Sequence, residues 1–193
     1  MAMWPLAYLL ENRGWTVSRF GYHSVRRYPA ENAAALHDFL AEHHEGDRPH
    51  LVAHSLGGLL VREFTHRYSG VPLGRVINLG TPHDGSVVAG RLASSKLTRW
   101  ALGKSQDALL GNVPQVSHPD TAVIGGTRPV GLGRLVFNPA EPSDGTVLLR
   151  ETQVAGIASH VAMPTTHFGM LFSKQVANAV SEYLENGVFP DAG

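Results

Sequence analysis

The chain contains no cysteine. That excludes disulfide staples, thiolate metal sites and thiol nucleophiles, and it suits a reducing, cytoplasmic setting. Excess charge of either sign is also missing, because 16 Lys and Arg balance 16 Asp and Glu. Neither nucleic acid nor an anionic membrane is therefore expected as a partner on electrostatic grounds. No stretch approaches the ~18–20 consecutive apolar residues that a spanning helix requires. The N-terminal MAMWPLAYLLENRG has no basic leader and meets Glu11 early, so it reads as an amphipathic helix and not as a signal peptide. The sequence has no His-Glu-x-x-His motif, P-loop or dinucleotide fingerprint, and neither metal nor cofactor is expected.

What remains is a globular composition. Apolar residues make up 43% of the 193 positions and charged residues 17%, enough to build one large core and a single domain over 1–193. Helices are expected at 4–13, stopped by Gly14; from Pro29 to near Gly46; at 56–68; and around Phe172–Leu184, stopped by Gly187. Apolar runs at 15–20, 50–54, 75–79 and 122–126 read as strands, and HVAMP from His160 as the start of another. Residues 86–110 read as an irregular helical insertion broken by Gly90 and Gly103, and 128–145 as loop. Strands alternating with helices give an α/β fold with a mostly parallel sheet covered on both faces. The insertion supplies a short helical cap. Its Leu92, Leu97, Trp100, Leu102, Leu109 and Leu110 form either a lid over a lipid site or ordinary core.

The segment PHLVAHSLGGLLVREF, residues 49–64, carries the chemistry. A parallel strand delivers its C-terminal end to the crevice where ligands bind in open α/β sheets. A sharp turn into a helix then projects the turn residue, here Ser55, into that crevice. Strand and helix come close at such a turn, so the residues two before and two after must be small, and these are Ala53 and Gly57, with Gly58 beside them. The pattern is that of a G-x-S-x-G nucleophile elbow with alanine for the first glycine. A serine at a helix start is also a common N-cap; the strand before it and the helix after it favour the elbow. The Leu56 N–H at the helix start is a ready oxyanion donor.

A serine hydroxyl needs a histidine to take its proton and a carboxylate to hold that histidine. In elbow-bearing folds the chain order is Ser, acid, His. Asp144, in PSDGTV, is a candidate acid on a short loop at a strand end, the strand being the apolar run Val147–Leu149, with Asp84 as its rival. His167, in PTTHFGML, is a candidate base just before the last helix, with His160 as its rival. His54 is expected to line the site, since it cannot turn back to serve its own neighbour.

AHSLGG, NLGTPHDGS, PSDGTV and THFGML, followed by a final amphipathic helix and NGVF, together resemble the small bacterial α/β-hydrolase lipases, and the GPI inositol-deacylase-like branch is similar. The resemblance spans roughly residues 4–190. It implies Ser55 as nucleophile, Asp144 as acid, His167 as base and hydrolysis of small-molecule or lipid esters through an acyl-enzyme. It also implies that Thr81, Pro82 and His83 wall the substrate site. In that family an apolar strand ending in His-Gly precedes the first helix and donates the second oxyanion N–H. The sequence shows none, so the chain is expected to be N-terminally incomplete. Two further readings use the same residues: acyl transfer to an acceptor other than water, and a binding protein on an impaired hydrolase fold.

Overall fold

A computed structural model describes residues 3–23, 26–94, 103–112, 114–131 and 140–190. Four strands form its sheet: β1 (Leu51–His54), β2 (Val76–Leu79), β3 (Thr121–Gly126) and β4 (Ser159–Met163). They lie in the order β1-β2-β3-β4, and every neighbouring pair is parallel. Parallel neighbours need crossovers, and helices supply those after β1 and β2. The helices are α1 (Trp4–Glu11), α2 (Pro29–His43), α3 (Leu56–Arg67), α4 (Val87–Ser94), α5 (Gln106–Leu109) and α6 (Lys174–Asn186).

Both faces of the sheet are covered, which is why β2 and β3 are buried along their whole length. The two-residue period of a strand divides their side chains between two cores. Ile77, Leu79, Ala122 and Ile124 point into one core with Leu6 and Leu10 of α1 and Val176, Val180 and Tyr183 of α6. Val76 and Ala53 point into the other, with Leu36 and Leu40 of α2 and Leu60 and Phe64 of α3. The last helix begins with the Ser173 hydroxyl accepting from the Val176 amide at 3.2 Å and ends at Gly187, as the glycine stop predicts.

Three expectations are corrected. Residues 15–20 form no strand: among the described residues β1 pairs with β2 alone, and the segment has no ladder to join. Its alternation survives as packing, with Trp15 and Val17 against the α1–α6 core and Phe20 and Tyr22 against the α2–α3 core. Gly90 does not break a helix but lies inside α4. Val147–Leu149 is no strand either; Leu148 makes an isolated bridge to Ser143 and Leu149–Thr152 is a 3-10 turn.

Of the expected cap, α4, a 3-10 turn at Gly103–Ser105 and α5 are described, with Leu109 packed on Ala89 and Ala93 and Leu110 exposed. Leu97, Trp100, Leu102 and the side chain of Leu92 lie outside the described residues. No helix among the described residues is long and apolar enough to cross a membrane.

Candidate active site

The C-terminal ends of the strands converge on one place. Ser55 follows β1 directly and caps α3 with φ 55° and ψ −125°. It is the one non-glycine residue at positive φ among the described residues. Such a backbone costs on the order of 1–3 kcal/mol and persists only where the surroundings impose it. The elbow is held from two sides. The Ser55 amide donates to the Leu79 carbonyl at 2.8 Å, and the Thr81 hydroxyl donates to the Ser55 carbonyl at 2.9 Å. Close approach is most severe at Gly58, where a Cβ would fall 2.1 Å from Thr81 Oγ1. At Gly57 it would meet Ala53 Cβ at an ordinary 3.6 Å. The demand for a small residue is therefore strictest one position later than the motif indicates.

Thr81→Val keeps the shape and removes the donor. The Ser55 carbonyl still accepts from the Gly58 amide at 3.0 Å, so it is not orphaned. The expected loss is about 1 kcal/mol, or a melting temperature ~2–4 °C lower, read by thermal denaturation.

Asp144 and His167 meet beside the elbow. His167 Nδ1 lies 2.7 Å from Asp144 Oδ2, with both residues buried at 3% and 1% exposure. The other carboxylate oxygen, Oδ1, accepts from the Thr146 amide at 2.9 Å and the Val147 amide at 2.7 Å. The His167 amide donates back to the Asp144 carbonyl at 2.9 Å. With the carboxylate on Nδ1–H, the neutral ring keeps its lone pair on Nε2, the form a general base needs. No hydrogen bond joins the Ser55 hydroxyl to His167 among the described residues. Such bonds commonly tighten only when substrate binds.

His54 touches His167. Its ring centroid is 4.5 Å from that of His167, and its Nε2 lies 2.9 Å from the His167 carbonyl oxygen. A carbonyl can only accept, so Nε2 carries the proton. Burial, with the neighbouring His167 second, brings the His54 pKa down to about 4. His54 is therefore a neutral donor that holds the His167 loop, as well as a half-buried residue beside Ser55.

His83 is placed differently from the expected site wall. It is 2% exposed, its Nε2 faces Asn78 Nδ2 at 3.3 Å, and Arg62 donates to its carbonyl at 2.7 Å. Buried in this way, it offers no open surface to a substrate. Burial first, and the Arg62 charge second, take its pKa down to about 3. Thr81 and Pro82 are buried as well. The rivals also lie elsewhere: Asp84 is exposed, and His160 Nε2 is bonded to Thr152 Oγ1 at 2.7 Å.

Three further residues shape the site. Gly80 follows β2 at φ +54°, and a Cβ there would stand 2.9 Å from Asp144 Oδ2 and 3.0 Å from His167 Nδ1. Gly126 ends β3, and a Cβ there would fall 2.7 Å from Asp144 Cβ and 2.6 Å from the Thr165 carbonyl. Both vacate the space that the Asp144–His167 pair fills. Their signal was a glycine placed immediately at the C-terminal end of an apolar strand. Glu151 is the third. Its buried carboxylate accepts from the Val87 amide at 2.7 Å and the Leu148 amide at 2.9 Å, tying the start of α4 to the acid loop. No group of three or more His, Asp or Glu fit to hold a metal occurs among the described residues.

The profile of the Alpha/beta hydrolase family matches residues 1–179. The chain belongs to the alpha/beta hydrolase family. Among solved structures, it is similar to the Bacillus licheniformis lipase BlEst2 in mature form, at 20% identity and a TM-score of 0.73, covering 97% of this chain and 87% of that one. The propeptide form of the same lipase gives 20% identity and a TM-score of 0.81 over 100% of this chain, but 49% of that one. Phospholipase PlaB from Legionella pneumophila, in complex with thio-NAD, gives 19% identity and a TM-score of 0.68 over 91% of this chain and 52% of that one. The chain thus spans about half the length of the latter two. These identities establish the shared fold. No curated protein matches the chain significantly.

Proposed function

We propose that this alpha/beta hydrolase is a serine hydrolase that cleaves carboxylic esters, of small-molecule or lipid type, through an acyl-enzyme on Ser55. The observation that carries this reading is the Asp144–His167 pair, buried at 2.7 Å beside a serine held at φ 55°. His167 Nε2 takes the Ser55 proton as Oγ bonds to the ester carbonyl carbon. The carbonyl electron pair moves onto its oxygen, which meets the Leu56 N–H at the positive end of α3. Leu56 opens that helix, so its amide has no intrahelical acceptor. The proton then passes from Nε2 to the departing alcohol. Water repeats the cycle in the same order and frees the acid.

Residues 1–193 lie within one domain in this reading, similar to the small bacterial lipases and to the GPI inositol-deacylase-like branch. A fluorophosphonate probe is the direct test. One phosphonyl adduct per chain is expected on the peptide containing Ser55, and none in Ser55→Ala. A wild-type protein that neither labels nor hydrolyses p-nitrophenyl esters would refute the reading.

A further inference from the structure

We infer that Glu151 is a positioning residue for the Asp144–His167 pair, the joint through which α4 fixes the loop that carries the acid. The inference rests on the Ser55 reading above. A catalytic group displaced by ~1 Å, even by a change far from the chemistry, costs about 10²-fold in rate, so whatever holds the acid loop bears on turnover.

Glu151 is 2% exposed, and both oxygens of its carboxylate accept from backbone amides. Oε1 accepts from Val87, the first residue of α4, at 2.7 Å, and Oε2 from Leu148 at 2.9 Å. Leu148 adjoins Val147, whose amide donates to Asp144 Oδ1 at 2.7 Å. Asp144 Oδ2 lies 2.7 Å from His167 Nδ1. An unbroken series of contacts thus runs from the start of α4 to the imidazole. The turn from Asp144 to Glu151 is strung between two carboxylates, one facing His167 and the other facing α4. The Asp84 amide donates to the Glu151 carbonyl at 3.1 Å, so the loop after β2 is anchored on the same residue. Capping one turn needs a single acceptor, and burying a carboxylate is costly. A carboxylate is required here because two separate segments each present a donor, and only an ionised acid offers two acceptor oxygens and no donor. The positive end of α4 favours that charge. Glu151 itself touches no reacting atom; it acts through Asp144.

The test reads turnover per competent site, so that mere loss of folded protein does not count. A fluorophosphonate titrates the Ser55 sites, and p-nitrophenyl acetate then gives kcat and KM. Glu151→Gln has to turn its NH2 on one of the two amides, and that tie is lost. Its kcat is expected to fall about 10²-fold with KM little changed. Val87→Pro removes the α4 donor alone and keeps the inference falsifiable if Glu151→Gln folds poorly. Proline suits the first position of a helix, and Ser86 before it is the N-cap, its hydroxyl accepting from the Ala89 amide at 3.2 Å. The kcat of Val87→Pro is expected to fall about 10-fold, since the Leu148 tie remains. Both changes cut the same joint, so the double variant is expected to lose far less than the product of the single losses. The proton between His167 Nδ1 and Asp144 gives a far-downfield NMR signal that needs no turnover, and it is expected to shift or broaden in both variants. A kcat within about threefold of wild type in either variant, an unmoved signal, or single losses that multiply in the double variant overturns the inference. Wild-type protein that neither labels nor turns over sinks the Ser55 reading, whereas an active wild type with unaffected variants sinks only the role of Glu151.

Discussion

Asp144→Asn is expected to lower kcat by about 10⁴-fold with little change in stability. The reason lies in how the two carboxylate oxygens are used. Oδ1 accepts from the Thr146 and Val147 amides, which offer only protons. An asparagine at this position must therefore aim its carbonyl at those amides, and its NH2 falls on His167 Nδ1. Nδ1 then has to act as acceptor, and the ring proton moves to Nε2. In that tautomer His167 cannot take the Ser55 proton. The fold keeps both backbone contacts, so the defect is one of protonation and not of architecture. Steady-state hydrolysis of a p-nitrophenyl ester, with thermal melts as control, checks it. A loss under tenfold would mean that Asp144 does not set the tautomer of the base. Because the His167 amide also donates to the Asp144 carbonyl, a backbone group that the substitution leaves alone, the base loop has no reason to drift.

What the sequence could and could not disclose follows from the range of the interactions involved. Ser55 was legible because its signals are local: an apolar strand run, a small residue on either side, and a helix at once after it. The parallel sheet was legible for the same reason, since Val76, Ile77 and Leu79, and Ala122, Val123 and Ile124, put apolar side chains on both faces of their strands. Trp15–Phe20 has the same local appearance, yet a strand exists only where a ladder partner does, and that partner is a long-range matter. Gly80 and Gly126 look like strand-end turn glycines. Their purpose is set by Asp144 and His167, which only the fold brings near. His83 sits in a loop sequence that suggests a wall, while its burial under Arg62 and Asn78 depends on how α3 and β2 pack.

The histidines carry the remaining large effect. Lowering the pH from 7 to 4.5 is expected to remove several kcal/mol of stability, on the order of 10 °C in melting temperature. The pKa of His54 is brought down to about 4 by burial and then by His167, against partial opposition from its bond to the His167 carbonyl and from Asp144; His83 is taken to about 3 by burial, then by Arg62 and His160. Burial lowers His50, His118 and His160 in the same direction. In the unfolded chain each of them titrates near ~6.5. Between that value and the folded pKa, the unfolded state binds a proton that the native state refuses, so stability falls as pH falls. The contribution is intact above about pH 6.5 and is lost progressively down to the folded values. Carboxylates that are bonded in the native state add to the loss only nearer their own range. Urea midpoints measured every half unit from pH 7.5 to 4.5 read the slope directly. His54→Gln retains an N–H that can reach the His167 carbonyl and takes up no proton, so it is expected to flatten the slope between pH 6.5 and 4.5 while weakening stability at pH 7 only slightly. A wild-type profile flat across that interval would mean that the buried rings are not held neutral by the fold.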